Sequence, residues 1–352
     1  MSISLFETRT MLPMVDIDKR SSAFLRDRYF SNVENFPTAK IDIDIRTGKR
    51  RVASFVGTEV GGETVARDGY ATNSYSAPEV SPDMITTAED LLLRSPGENV
   101  YNAKSPQERA AEQIGRDLAD LDDMITRREE LMCSEALFTG EISVAGTGIP
   151  SGTKIKYWTQ LSAGDQPITS LALNNRWGDT GIDPLVSLRA VRRKMIQRCG
   201  IAPTEIIMGT DALEAFLGCL KTLDMELDFS RVNMGKIDPQ HLGNGVTYWG
   251  YMKDTALDIY SYDEWYLDSS GVEQPIVPAK KCLLGNPAVR TTMAYGAVSV
   301  ARQDALEIYA APRVPNSWVQ PKNPAGRIVQ LKSRPLPIIH QVQGFHVLVP
   351  IA

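Results

Sequence analysis

Between Lys40 and Asp83 the chain alternates like a β-ribbon but carries too little apolar bulk to fold on itself. Ile41, Ile43 and Ile45 interleave with Asp42, Asp44 and Arg46, the period of two expected of a strand with one apolar face. Thr47-Gly48 reads as a tight turn, and a two-residue loop there sets Asp44 opposite Arg51 and Ile43 opposite Val52. Val56 to Pro82 then holds Gly57, Gly61, Gly62, Gly69, Pro78 and Pro82 but only two aromatics, Tyr70 and Tyr75. An isolated two-stranded ribbon is marginally stable in water, so this arm needs a surface to lie on. The sequence favours a neighbouring chain, because no later segment supplies a partner sheet for so long an arm.

A loop from Leu91 leads to the clearest helix start in the chain. Ser105-Pro106-Gln107-Glu108 sets Ser at the N-cap, Pro at the first helical position and Glu at the third, a capping box. Ile114, Leu118, Leu121, Ile125 and Met132 follow on one face, with Asp120, Asp123, Arg127 and Glu130 expected to point away from it. Thr139-Gly140 stops the helix, which makes a rod of roughly 45 to 50 Å, a spine longer than the usual globular helix.

Farther on, the pattern predicts a hairpin over Ile142 to Leu161, turning through the glycine-rich 146–152 and returning on Ile155 to Trp158. A second unit follows Trp177. Asp183-Pro184 opens a helix with Leu185, Leu188, Val191 and Met195 inside and Arg189, Arg192, Arg193, Lys194 and Arg198 outside, ending at Cys199-Gly200. Thr204 to Met208 is a short buried strand, Asp211 caps a helix to Leu220, and Gly245 to Tyr262 gives two strands. Trp265 to Val277 is a hairpin turning at Ser269-Ser270-Gly271, and from Lys281 the chain is β-rich to the alternating Phe345 to Val349.

At 352 residues and 43% hydrophobic content, the chain can bury a sizeable core. A formal charge of -5 argues against general affinity for nucleic acid, leaving only a local basic patch at Arg192 to Arg198. Cys133, Cys199, Cys219 and Cys282 lack metal or disulfide-scaffold spacing and read as buried thiols of a reducing cytoplasm. No apolar run approaches the length of a membrane span, and the N-terminus lacks an export-signal pattern.

The candidate chemistry fails motif by motif. Starting at Gly146, a phosphate loop or a G-x-G-x-x-G turn needs glycine where Ser151 stands, and a strand follows instead of a helix. Met208-Gly209-Thr210-Asp211 forms a strand-to-helix turn of the kind that can hold phosphate but is routine in α/β layers. Asp42-x-Asp44 resembles a divalent-metal pair, with Lys40, Arg46 and Arg51 nearby to form salt bridges instead. His241, His340 and His346 sit in no zinc motif, and no nucleophile elbow or cysteine with a candidate base is present. No catalytic, cofactor or metal residue is assigned.

Several stretches, taken in order, resemble the lambda-like phage major capsid protein E family. They are Arg67-Asp-Gly-Tyr-Ala-Thr, Ser105-Pro-Gln-Glu-Arg-Ala-Ala, the run from Asp117 to Glu130, Glu135-Ala-Leu-Phe-Thr-Gly and Trp177-Gly-Asp with Asp183-Pro-Leu. Ile206-Ile-Met-Gly-Thr-Asp-Ala, Leu284-Gly-Asn, Tyr295-Gly-Ala, Pro315-Asn-Ser-Trp-Val and Gln330-Leu-Lys-Ser-Arg-Pro-Leu-Pro complete the set. The sequence departs from the family at Gly57-Thr58-Glu59-Val60, which lacks a proline common there.

The resemblance implies an α+β fold, the Hong Kong 97-like viral capsid fold, with four parts. These are an N-terminal arm (1–36), an extended β-hairpin loop (37–100), a peripheral domain (101–176 and 290–336) with the spine helix at 105–139, and an axial α/β domain (177–289 and 337–352). Together with the unsupported ribbon, it implies an intersubunit interface at Ile41, Asp42, Ile43, Asp44, Ile45, Arg46, Arg50, Arg51, Phe55, Arg67 and Tyr70. On this reading the isoleucines become buried only in the shell. The expected function is the major head protein of a tailed double-stranded DNA phage, assembled in the host cytoplasm as hexamers and pentamers of an icosahedral virion. Implied partners are a portal, a scaffold, a maturation protease, a possible decoration protein, and packaged DNA through non-specific proximity. Cofactors and membranes have no place in it. The rival expectations are an encapsulin-like compartment, which shares the fold but encloses protein, and an α/β phosphate-binding enzyme using Gly209 to Asp211.

Overall fold

The structure is a computed structural model. It describes residues 21–46, 51–56, 61–62, 64–67, 70–87, 89–90, 105–159, 161–162, 164–179, 181–226, 235–243, 245–268, 270–301, 306–321 and 325–351. The N-terminal arm before residue 21 and the loop 91–104 lie outside the described residues.

The spine helix forms as its sequence dictates. Helix α2 (Pro106–Phe138) follows the short helix α1 (Phe24–Tyr29), and the Ser105 hydroxyl accepts from the Glu108 amide while the Glu108 carboxylate accepts from the Ser105 amide. At the other end Gly140 takes a left-handed φ of 72°, where a Cβ would lie within 2.0 Å of the Trp158 indole. Only glycine lets the chain turn there beneath the ring. Two cores meet along this rod. Leu121 and Ile125 pack on Val329 and Leu331 near its middle, whereas Met132, Cys133, Ala136 and Leu137 enter a larger core toward its C-terminal end.

The first core lies under a three-stranded sheet ordered β18 (Val314–Gln320), β19 (Gly326–Lys332), β4 (Asp83–Thr87), all antiparallel. The second lies against one face of a seven-stranded mixed sheet. Its order is β7 (Ile168–Ser170), β21 (His346–Val349), β14 (Cys282–Gly285), β8 (Glu205–Met208), β11 (Leu257–Tyr262), β10 (Val246–Met252), β9 (Gly235–Gly243). The opposite face carries α3 (Pro184–Cys199) and α4 (Thr210–Glu226), with Leu188, Met195 and Phe216 on Ile206, Met208 and Leu284. Because both faces are covered, every residue of β8 and β14 is buried. The apparent alternation of Phe345 to Val349 is accordingly not a half-exposed strand, for His346, Val347 and Leu348 are all buried.

A three-stranded sheet of β1 (Val33–Asn35), β15 (Thr291–Tyr295) and β20 (Pro335–Ile339) joins the two regions, with β1 parallel to β15. Small antiparallel pairs complete the chain: β5 (Glu141–Ser143) with β6 (Lys154–Lys156), β12 (Trp265–Leu267) with β13 (Glu273–Pro275), and β16 (Val298–Ala301) with β17 (Leu306–Tyr309). The 146–152 segment is therefore a hairpin turn, as expected.

Four expectations are corrected. The ribbon strand β2 (Lys40–Arg46) pairs with β3 (Tyr70–Ser76) and not with the stretch at Arg51 and Val52, so Asp44 faces Thr72 and Ile43 faces Asn73, while the expected turn at Thr47-Gly48 lies outside the described residues. The cross-strand partner thus lies beyond the glycine-rich stretch, not before it. Ile41 is buried within its own chain, not only in an assembly. Glu130 does not point away from the spine's apolar face but is fully buried. Helix α4 begins at Thr210 and not Asp211, and runs to Glu226.

Candidate assembly surface

The arm is anchored at its base and bare toward its tip. Ile41 and Ala77 enter the main core, Tyr75 stacks on Tyr157 with ring centroids 5.6 Å apart, and the Ala77 amide donates to the Ala39 carbonyl. Glu79, just beyond, accepts from Arg334 at 2.7 Å and lies 3.5 Å from Lys332. Asp42 is exposed on the strand. Strand β2 sets the backbones of Ile43, Asp44, Ile45 and Arg46 opposite Asn73, Thr72, Ala71 and Tyr70. The side chains of those four and of Tyr70, and all of Arg50, lie outside the described residues.

Beyond the Arg46–Tyr70 pair, the Arg51 guanidinium donates to the Ala66 carbonyl at 2.7 Å and holds the two limbs together. Arg67 is exposed, as are Val52 (94%) and Phe55 (106%). A fully exposed phenylalanine beside an exposed valine is apolar surface left without a cover.

The N-terminal segment is tied to the spine by two adjacent carboxylates. Glu130 accepts the Leu25 and Arg26 amides at 2.7 and 3.0 Å. Glu129 accepts Arg26 at 2.9 Å and Arg313 at 2.6 and 3.1 Å, while Arg313 also reaches Asp122 at 2.6 Å. One cluster around the two buried glutamates therefore joins α1, α2 and the start of β18. The segment 21–36 is pinned to its own chain by these bonds and by buried Leu25, Tyr29 and Phe30. Sequence reading missed this site because consecutive glutamates on a helix ordinarily face water; the nearby arginines at 26 and 313 are distant in sequence.

Several of the polar groups weighed as candidate chemistry make contacts within the fold. At the Gly209 turn, Gly209 donates to the Lys281 carbonyl and Ala212 to the Ala279 carbonyl, and a Gly209 Cβ would lie 2.3 Å from the Pro278 oxygen. On the basic helix, Arg189 pairs with Asp254 at 2.6 Å and Arg198 donates to the Asp165 and Gln166 carbonyls. His346 is held by Thr169 at 2.9 Å and His340 by Thr292 at 2.9 Å. Among the described residues no group of three metal-ligating side chains occurs, and no helix is long and apolar enough to cross a membrane. Cys133, Cys219 and Cys282 are buried free thiols, and Cys199 is half-buried.

The chain folds as a mixed α+β body with a spine helix, an anchored arm and a sheet covered on both faces. The same fold occurs in the crystal structure of a protein described as a prophage capsid protein of E. coli CFT073, with a TM-score of 0.67 at 19% identity, covering 95% of this chain and 94% of that one. It also occurs in the SrpI encapsulin of Synechococcus elongatus PCC 7942, with a TM-score of 0.51 at 10% identity over 100% and 96%. The fold alone therefore does not separate a phage head from an encapsulin.

Sequence does. Residues 7–346 match the family described as phage major capsid protein E, and the chain belongs to that family. The major capsid protein of Enterobacteria phage P21 is 23% identical over 348 residues, 98% of this chain and 99% of that one. The major capsid protein of Escherichia phage lambda is 23% identical over 327 residues, 92% of each chain. The protein is a major capsid protein of a tailed double-stranded DNA phage, a structural component of the virion and not an enzyme.

Proposed function

We propose that copies of this chain form hexamers and pentamers that close into an icosahedral head around the packaged genome, and that the 40–83 arm is the clamp between them. The observation that carries this reading is the contrast along the arm. Its base is anchored in the subunit through Ile41, Tyr75 and Ala77, while Phe55 near the tip stands fully exposed. Anchoring aims the arm, and burial of its tip on a neighbour couples stability to assembly.

The interface comprises Asp42 to Arg46, Arg50, Arg51, Phe55, Arg67 and Tyr70, with Ile41 reassigned as the anchor. The chain divides into an N-terminal arm (1–36), the extended loop (37–100), a peripheral domain and an axial domain. Strand β7 at 168–170 is assigned to the axial side because it pairs with β21, which moves the boundary from 176 to about 167. A net charge of -5 keeps the inner wall from gripping DNA. A portal, a scaffold, a maturation protease and a decoration protein complete the particle.

Electron microscopy of the purified protein tests the assembly. Closed shells or ring-shaped capsomers are expected; a monodisperse monomer or dimer under every assembly condition overturns the reading.

A further inference from the structure

Two strand edges face one open cleft beside the base of the arm. The Ala77 amide bonds to the Ala39 carbonyl at 3.1 Å, so in the β2–β3 ladder the pairs Ile41–Tyr75 and Ile43–Asn73 exchange hydrogen bonds. The alternate residues Ser74 and Ser76 therefore turn their backbone N–H and C=O groups to the other edge. The same parity holds in the β5–β6 pair. Val144 donates to the Thr153 carbonyl at 2.9 Å and Tyr157 to the Gly140 carbonyl at 2.9 Å, so Lys154 and Lys156 point their backbone groups outward. Ser74, Ser76, Lys154 and Lys156 all line a cleft of about 800 Å³, whose apolar wall includes Ile149 and Ile155. Among the described residues, β3 pairs only with β2 and β6 only with β5. Open edges of this kind accept an added strand.

We propose that this cleft receives residues Arg51–Val56 of a second copy of the chain as an added strand. The proposal rests on the reading that arms bridge subunits, and names the surface on which they land. The segment has the properties of the missing strand. It carries Val52 and Phe55, both uncovered in their own subunit, and it forms no ladder among the described residues. The seven paired residues of β2 carry the chain about 20 Å away from its own cleft before the segment begins. A neighbouring subunit's cleft has no such restraint. The arm also carries Glu59 and Glu63 in sequence just beyond the segment, opposite in charge to exposed Lys156.

Proline at an outward-facing edge position removes a donor that the subunit itself does not use. Ser74→Pro and Lys156→Pro are therefore expected to leave the circular dichroism and melting of the unassembled subunit close to wild type while lowering shell yield about tenfold or more. Ser74→Ala, which keeps the amide, assembles normally. Phe55→Asp abolishes shells. If Phe55→Asp blocks assembly but both proline variants assemble as wild type, the arm bridges subunits and this cleft is not its acceptor. If Phe55→Asp assembles normally, the bridging reading itself fails. Should either proline variant misfold, the pair Phe55→Cys with Ser76→Cys decides: an intersubunit disulfide ladder in oxidised shells, absent from the single Phe55→Cys control, is expected, and no ladder overturns the proposal.

Discussion

Glu129 and Glu130 stand side by side on the spine helix with no exposed side-chain surface, and each is satisfied by a different means. Glu129 sits between two guanidiniums. Burial disfavours the charge on Arg313, yet Glu129 and Asp122 outweigh it and hold the group above its usual range. Removing one partner of a buried pair leaves an uncompensated charge, so Glu129→Gln is expected to cost about 3 kcal/mol in urea unfolding of the unassembled subunit. The double variant Glu129→Gln with Arg313→Met should cost clearly less than the sum of the singles.

Glu130 titrates differently because burial pushes its carboxyl up to about 7, against the pull of the Leu25 and Arg26 amides. A carboxyl raised in the folded state binds its proton more tightly there. Its stabilisation is full below the ordinary value of 4.5 and is lost as pH rises through about 7. His346 has the opposite sign. Burial, with Lys194 and Arg198 nearby, lowers it to about 3, so its contribution is present above 6.5 and is lost as pH falls toward 3. Melting temperature against pH should therefore lose slope between about 4.5 and 7 in Glu130→Gln, and below about 6.5 in His346→Gln.

At the scale of elements, local chemistry was legible and long-range pairing was not. The capping box at Ser105, the Asp183 cap with Pro184, and the four apolar positions of α3 all stand where sequence spacing put them, because each depends on residues within a turn or two. Ser105→Ala should accordingly cost about 1 kcal/mol by thermal unfolding. The register of β2 was misread because a plausible turn at Thr47-Gly48 competed with a partner strand beginning at Tyr70, and nothing local distinguishes them. Burial of Glu130 was illegible for the same reason: the amides that satisfy it lie 105 and 104 residues away in sequence. Gly140 was legible only as a helix stop. Its stricter role beneath Trp158 predicts that Gly140→Ala destabilises the subunit by more than about 2 kcal/mol, since left-handed strain and a steric clash combine.

Over the whole molecule, the body and the arm divide the work. The spine joins two cores into one subunit, and the arm base belongs to that subunit's interior, so cutting out the entire 40–83 segment would remove core residues as well as the clamp. The tip can be removed cleanly. Arg46 and Tyr70 face each other as the last pair of the ribbon, which an Asn-Gly turn closes in place of residues 47–69. Electron microscopy of this tip-replaced protein beside wild type tests the clamp most directly. A subunit that keeps its helix content and its melting temperature within a few degrees but forms no closed shells is the predicted result. Shells at wild-type yield, or collapse of the subunit itself, would contradict it.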